Sequence, residues 1–281
     1  MFPQSHIFGK RAVALAFRTV AWLCVLPLAA QVDLGLAPMR VEFPATPGRA
    51  FSGTLTLNNA GKSRTRVRTE LLDMYVDQAM TPQFVSNAPA EKDFSCRQWL
   101  SVNPMELEID GRSQVPIRFT VRIPASANER SYHCAIGFRT MAAATEQEGM
   151  GMRMAVRVIG AIYPIVGKPE IAGAIKDLKL EAVPNSSERL QRVVVVMENS
   201  GLMLYRPTGD VDLLDADGKV VESQKMAPFP VLPKRQQRFI LPLKTVLAPG
   251  RYSLRLRVDM GKEIQETSAE AEVAAEAQPP K

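Results

Sequence analysis

The chain is written in short stretches where apolar and polar residues alternate with a period of two, cut at close intervals by turn residues. Gly53–Leu57 (GTLTL), Val67–Leu71, Val115–Val121 (VPIRFTV) and Tyr132–Phe138 all read this way. Residues two apart on an extended chain share a face, so each stretch buries one side and wets the other. A helix needs a period near 3.6, which these stretches lack. The runs end in turn chemistry: Asn58-Asn59-Ala60-Gly61 closes one strand, and Asp110-Gly111 joins two others. Proline (21) outnumbers glycine (17) and both are scattered, which suits many short strands better than a few long helices.

The second half repeats this grammar. Val193–Met197 ends in Glu198-Asn199-Ser200-Gly201, as the earlier strand ends in Asn59-Ala60-Gly61. Val211–Leu214 runs into Asp217-Gly218, a hairpin signal, and Phe239–Leu243 precedes Ala248-Pro249-Gly250 and Ser253–Val258. Each half places a tyrosine at the start of a late strand, Tyr132 and Tyr252. In a sandwich such a tyrosine serves as a corner, its hydroxyl bonding backbone while its ring packs. The fold class that follows is all-β: two tandem immunoglobulin-like β-sandwiches, residues 32–167 and 168–274, split at Gly167-Lys168-Pro169. Residues 275–281 form a flexible tail.

Residues 1–31 read as a signal peptide. Lys10, Arg11 and Arg18 make a positive start, residues 19–30 (TVAWLCVLPLAA) an apolar stretch, and Ala29-Ala30 a cleavage site. The apolar stretch is shorter than the ~20 residues of a membrane span; an uncleaved N-terminal anchor is the alternative. The formal charge of +6 includes three leader cations and no leader acid. What remains is mildly basic, with no basic run to suggest a nucleic-acid partner. Export places the chain in the periplasm or cell envelope. There the two remaining cysteines, Cys96 and Cys134, are expected to form one disulfide.

No constellation for chemistry is present. The one histidine after the leader, His133, precedes Cys134 in a strand, which puts the two on opposite faces, with His133 expected at the solvent face or rim. Nucleophile elbows, phosphate loops and zinc motifs are absent from the sequence. Acid pairs such as Glu106 and Glu108, or Asp210 and Asp212, read as wet strand faces, and Asp215-Ala216-Asp217-Gly218 lacks the ligands of a calcium loop. The expectation is a non-enzyme with no cofactor, metal or small-molecule substrate.

A long alternating strand is expected from Met152 to Ile165, after the polar loop 141–151. Met152, Met154, Val156 and Val158 share one face of it, which is either sandwich core or an adaptable docking surface. This strand carries a resemblance. Leu36-Ala37-Pro38-Met39-Arg40-Val41-Glu42-Phe43, Leu55-Thr56-Leu57-Asn58-Asn59 and Val156 to Pro164 (VRVIGAIYP) resemble the N-terminal domain of periplasmic pilus-assembly chaperones. The resemblance covers about the first 165 residues. It implies two immunoglobulin-like domains that lend a strand to an incomplete pilus or surface subunit by β-augmentation. An usher is the further partner that reading admits. It makes Arg40, Met152, Met154, Val156 and Val158 partner-binding, and gives Arg40 the role of gripping the subunit's terminal carboxylate. The family's second grip, a lysine, falls at Gly160 here. Arg157 lies three residues off, on the opposite strand face from that position.

A second resemblance carries the competing reading. Trp99-Leu100-Ser101-Val102-Asn103-Pro104, Val121–Ala125, Met152–Gly167, Asn199-Ser200-Gly201, Val231-Leu232-Pro233 and Leu247–Tyr252 are similar to bacterial cell-surface proteins of the WxL-interacting type. That resemblance implies a peptidoglycan-binding or adhesive scaffold.

Overall fold

A computed structural model describes residues 33–77, 79–141, 155–186 and 190–274. The first sandwich is built from β1 (Leu34–Ala37), β2 (Arg40–Ala45), β3 (Ala50–Asn59), β4 (Thr65–Val76), β5 (Pro82–Val85), β6 (Leu100–Asn103), β7 (Glu106–Ile109), β8 (Ser113–Arg122), β9 (Arg130–Ser131), β10 (Cys134–Thr140) and β11 (Arg157–Val166). One sheet runs β1–β3–β8–β6. The other runs β2–β11–β10–β4–β5, with β7 also on β4 and β9 also on β11. The second sandwich comprises β12 (Gly173–Ala182), β13 (Gln191–Asn199), β14 (Thr208–Leu214), β15 (Val220–Met226), β16 (Gln236–Pro242), β17 (Gly250–Asp259) and β18 (Ile264–Val273). Its sheets run β12–β13–β16 and β15–β14–β17–β18. Both halves are thus stacked β-sheets, the all-β architecture expected from the alternation.

The alternation also sets which side chains are buried. Leu55 and Leu57 of β3, Ile117 and Phe119 of β8, Ile136 and Phe138 of β10 and Ile162 of β11 fill the first core. Val193, Val195 and Met197 of β13 meet Leu254, Leu256 and Val258 of β17 in the second. At the close of the paired strands the two halves use one device twice. Asn59 is buried, donates to the carbonyls of Ser63 (2.9 Å) and Ile109 (3.2 Å), and accepts from the Gly61 N–H at 3.1 Å. Asn199 is buried, donates to Met203 (2.7 Å) and Val231 (3.0 Å), and accepts from Gly201 at 2.9 Å. One amide thereby satisfies carbonyls and an N–H that the turn would otherwise leave unpaired. The two corner tyrosines behave as expected: the Tyr132 hydroxyl donates to the Asn128 carbonyl at 3.1 Å, and Tyr252 to Ala248 at 2.9 Å.

The disulfide is present, Cys96 to Cys134 across a separation of 38 residues, and both sulfurs are buried. It pins the segment between β5 and β6 to β10. Buried Asp73 on β4 holds the same segment by accepting from Ala88 N–H (2.9 Å), Arg97 Nε (3.0 Å) and the Ser95 hydroxyl. His133 corrects the sequence expectation: it is fully buried, not at the rim. The segment explains why, since His133 bridges Ser95 and lies against the ring of Phe94. Asp215 is a turn former, accepting from the N–H groups of Asp217 (3.0 Å) and Lys219 (2.9 Å).

In the loop-entropy account the covalent bridge stabilises the fold by limiting the unfolded chain. Replacing both Cys96 and Cys134 by alanine is expected to cost about 2–4 kcal/mol. A urea titration of wild type and double variant reads this as a lower midpoint, with a steeper slope because the unbridged unfolded chain exposes more surface; coincident curves would contradict it.

Candidate interface at the β11 edge

β11 is the strand on which the site turns. Its ladder to β10 pairs Arg139 with Arg157 through Cys134 with Ile162. Thr140 donates its N–H to the Val156 carbonyl at 2.9 Å, so the even-numbered residues of this strand direct their main chain to β10. The odd-numbered ones direct theirs the other way. There β2 runs parallel and covers Ala161 to Val166, starting with Arg40 opposite Ala161. The Ala161 N–H reaches the Met39 carbonyl at 2.9 Å, where the cover stops. Before β2, the chain belongs to the other sheet, with β1 paired to β3. Arg157 and Ile159 therefore present N–H and C=O groups to an edge that no strand of the described residues pairs.

Among the described residues the strand runs from Arg157, and just before it the Thr140 hydroxyl accepts the Val156 N–H at 2.9 Å. Met152 and Met154 lie outside the described residues. Val156 and Val158 are half-buried and pack against the first core, on the face of Gly160 and Ile162. Polar replacement there would disturb the sandwich as well as any docking surface. The exposed feature of this stretch is its main-chain edge.

The opposite face of β11 looks toward the second sandwich. Tyr163 and Ala161 pack with Met74 of β4 and with Leu204 and Leu232 of the second sandwich. The Arg206 guanidinium lies 4.8 Å from the Tyr163 ring centroid and pairs with Glu42 on β2. Burial pushes the Tyr163 phenol up, and the neighbouring Arg206 and Arg40 charges pull against it. Arg40 sits on the same face of β2 as Glu42, is exposed, and has no ion pair among the described residues.

The second cation is not where the resemblance put it. Gly160 faces the core: a side-chain carbon there would come within 3.1 Å of Leu36 and 3.2 Å of Leu55. A lysine at that position would be buried among leucines. Arg157 does face away from Gly160, and so shares the face of Arg40. It is committed elsewhere, to Glu70 at 2.8 Å and the Phe84 carbonyl at 3.3 Å. The cation over the Tyr163 ring is Arg206, from the second sandwich. Its Nη2 is buried without a hydrogen-bond partner. Local sequence carried no signal for it, since Glu42 and Arg206 are 164 residues apart.

Two further contacts fix the cleft. Ser131 of β9 donates its N–H to Leu202 (2.9 Å), and its hydroxyl accepts from Leu204 N–H (2.7 Å). Glu91, in the short 3₁₀ turn Pro89–Glu91, is buried and takes Arg235 Nε at 2.9 Å on one oxygen. Its other oxygen lies 3.5 Å from His133 Nε2. Burial alone would raise the Glu91 carboxyl, but the His133 ring and the Arg235 guanidinium override it and hold it below the ordinary carboxylate value. Among the described residues, no group of three or more metal-ligating side chains occurs, and no helix is long and apolar enough to cross a membrane.

No family model matches this sequence, and no curated protein matches it. Among solved structures the chain is similar to a chain of a chaperone–tip adhesin complex of CFA/I fimbriae biogenesis, at 10% identity, covering 87% of this chain and 100% of that one, with a TM-score of 0.45. It is similar to the class 5 fimbriae chaperone CfaA at 10% identity, covering 85% and 99%, with a TM-score of 0.43. It is also similar to a chain of the CsuC–CsuE chaperone–tip adhesion subunit pre-assembly complex from archaic chaperone-usher Csu pili of Acinetobacter baumannii, at 9% identity, covering 85% and 98%, with a TM-score of 0.44.

Because Glu91 titrates lower in the folded chain than in the unfolded one, its stabilising contribution is complete above the ordinary carboxylate range. It is lost as pH falls through the folded value. Glu91→Gln is expected to cost about 2 kcal/mol at neutral pH, below the range for breaking a fully buried pair because Arg235 is partly exposed and glutamine still accepts. Unfolding curves of wild type and variant should converge as pH falls through 4 and below, on the order of the carboxylate pKa. A gap that is constant with pH would contradict the assignment.

Proposed function

We propose that this chain is an exported chaperone-like binding protein that completes a secreted pilus or surface subunit by strand addition at the β11 edge. The observation that carries this reading is that β11 is paired along its whole length on one side but only from Ala161 onward on the other. An incoming strand can accept and donate main-chain bonds at Arg157 and Ile159 without displacing anything. Its direction follows from the neighbour it would abut. A strand running parallel to β11 and in line with β2 would end at Arg40, which is exposed and unpaired among the described residues. A terminal carboxylate arriving there meets Arg40 first and Arg206 behind it. The binding energy in this reading is mostly main-chain hydrogen bonding, so the partner's side chains are only loosely specified. The half-buried Val156 and Val158 offer the incoming strand an apolar floor next to the edge.

Ile159→Pro tests the edge while sparing the sandwich. Its N–H points away from β10, so proline removes an outward donor and no ladder bond. Loss of that bond and the clash of the ring predict at least about tenfold weaker recovery of the subunit from the native envelope after cross-linking. Arg40→Ala removes a charge-assisted bond and predicts a loss on the order of tenfold to a hundredfold. Both variants should keep the wild-type unfolding midpoint. Undiminished recovery with Ile159→Pro would exclude strand addition at β11.

A further inference from the structure

The second sandwich has an open side of its own. Its two sheets end there on β15 and β16, and the tip of the β4–β5 hairpin, Met80 to Pro82, closes one end into a groove of about 390 Å³. Core residues Met226, Phe239 and Leu241 form the floor, while Phe229 and Ile240 are left 40% and 48% exposed. Three features distinguish the groove from a solvated sheet edge.

The first is the direction of the main chain. Leu243 N–H donates to Gln191 and Asn199 N–H to the Arg235 carbonyl, so odd-numbered residues of β16 face β13. The N–H groups of Arg238 and Ile240 therefore point outward along the groove. Pro242 has no N–H to offer, which ends the usable edge after Ile240. The second is an orphan acceptor. Gln237 is 4% exposed, and its amide nitrogen donates to the carbonyls of Met80 (2.7 Å) and Arg238 (3.0 Å). Its Oε1 is buried with no hydrogen-bond partner among the described residues, which a native interior rarely tolerates unless a donor arrives from outside. The third is charge. The lining contains Lys225 and Arg238 and no acid, and while Arg238 is held by Glu181, Lys225 has no ion pair among the described residues.

We propose that this groove is a second peptide-binding site, separate from the β11 edge, which takes an extended segment of a partner protein in which apolar and acidic residues alternate. The segment lies along β16 over about four residues, bonding the outward main chain of Arg238 and Ile240 and supplying an N–H to Gln237 Oε1. Its apolar side chains cover Phe229 and Ile240, and a carboxylate reaches Lys225. The short usable edge makes it a weak site alone, suited to adding affinity and selectivity to a partner already held elsewhere.

The test is a titration of the ¹⁵N-labelled full chain with a capped seven-residue peptide alternating leucine and glutamate. A peptide alternating leucine and lysine serves as control. Expected are shifts of the Arg238 and Ile240 amides and of the Gln237 side-chain amide, with affinity at least tenfold higher for the acidic peptide. Ile240→Asp and Lys225→Glu, both at exposed positions, should each lower that affinity at least tenfold with the melting midpoint unchanged. Absence of shifts at these three groups would overturn the proposal. So would equal affinity for both peptides, or shifts confined to Arg157 and Ile159. Each of these outcomes leaves strand addition at β11 standing, since shifts confined to Arg157 and Ile159 would mark that edge instead of the groove; the Ile159→Pro variant tests strand addition separately.

Discussion

A strand inside a sheet must pair its main chain on two sides, and among the described residues β11 does so over only part of its length. The cause is the path of the preceding chain. Leu34–Ala37 pairs with β3 in one sheet, and the chain then crosses to pair with β11 in the other from Arg40 onward. Where the crossing happens decides how much of β11 is covered. Had β2 begun four residues earlier, Arg157 and Ile159 would be internal to the sheet. An unpaired edge next to a packed core is a liability that folded chains usually blunt with charge, proline or a bulge. Here the stretch is Arg157-Val158-Ile159-Gly160, mostly apolar, with its one charge turned onto Glu70.

The second sandwich defines the surroundings of that edge. Leu204 and Leu232 seat on Tyr163 and Met74, and polar contacts surround them: Arg206 to Glu42, Arg235 to Glu91 and Ser131 to Leu202 and Leu204. Each of the two ion pairs joins an arginine of one sandwich to an acid of the other. Desolvation offsets part of the attraction in each pair, while removing either partner would leave the other charge unmatched. A cleft of fixed geometry is what a carboxylate at Arg40 would need in order to be read by position.

What could be read from residues alone was whatever repeats locally. The alternation in Gly53–Leu57 or Val193–Met197 is a statement about one strand, and it placed the cores. Asn59 and Asn199, or Tyr132 and Tyr252, stood out because the same chemistry recurs at the same point of each half. The Cys96–Cys134 bridge followed from compartment and parity. His133 was misplaced because alternation describes a strand's two faces but not what lies over them, and the segment from Ala88 to Arg97, tied down by Asp73, covers it. The second cation of the cleft was missed for a similar reason: counting along β11 led to Gly160, which the core occupies, while Arg206 arrives from the other sandwich.

The account is tested most directly by amide hydrogen exchange along β11. It predicts that in the free chain the N–H groups of Arg157 and Ile159 exchange rapidly while those of Val158 and Gly160, bonded to β10, are protected. Addition of a secreted subunit lacking one strand should then protect Arg157 and Ile159 selectively. Strong protection of Arg157 and Ile159 in the free chain would contradict it, because the edge would already be closed.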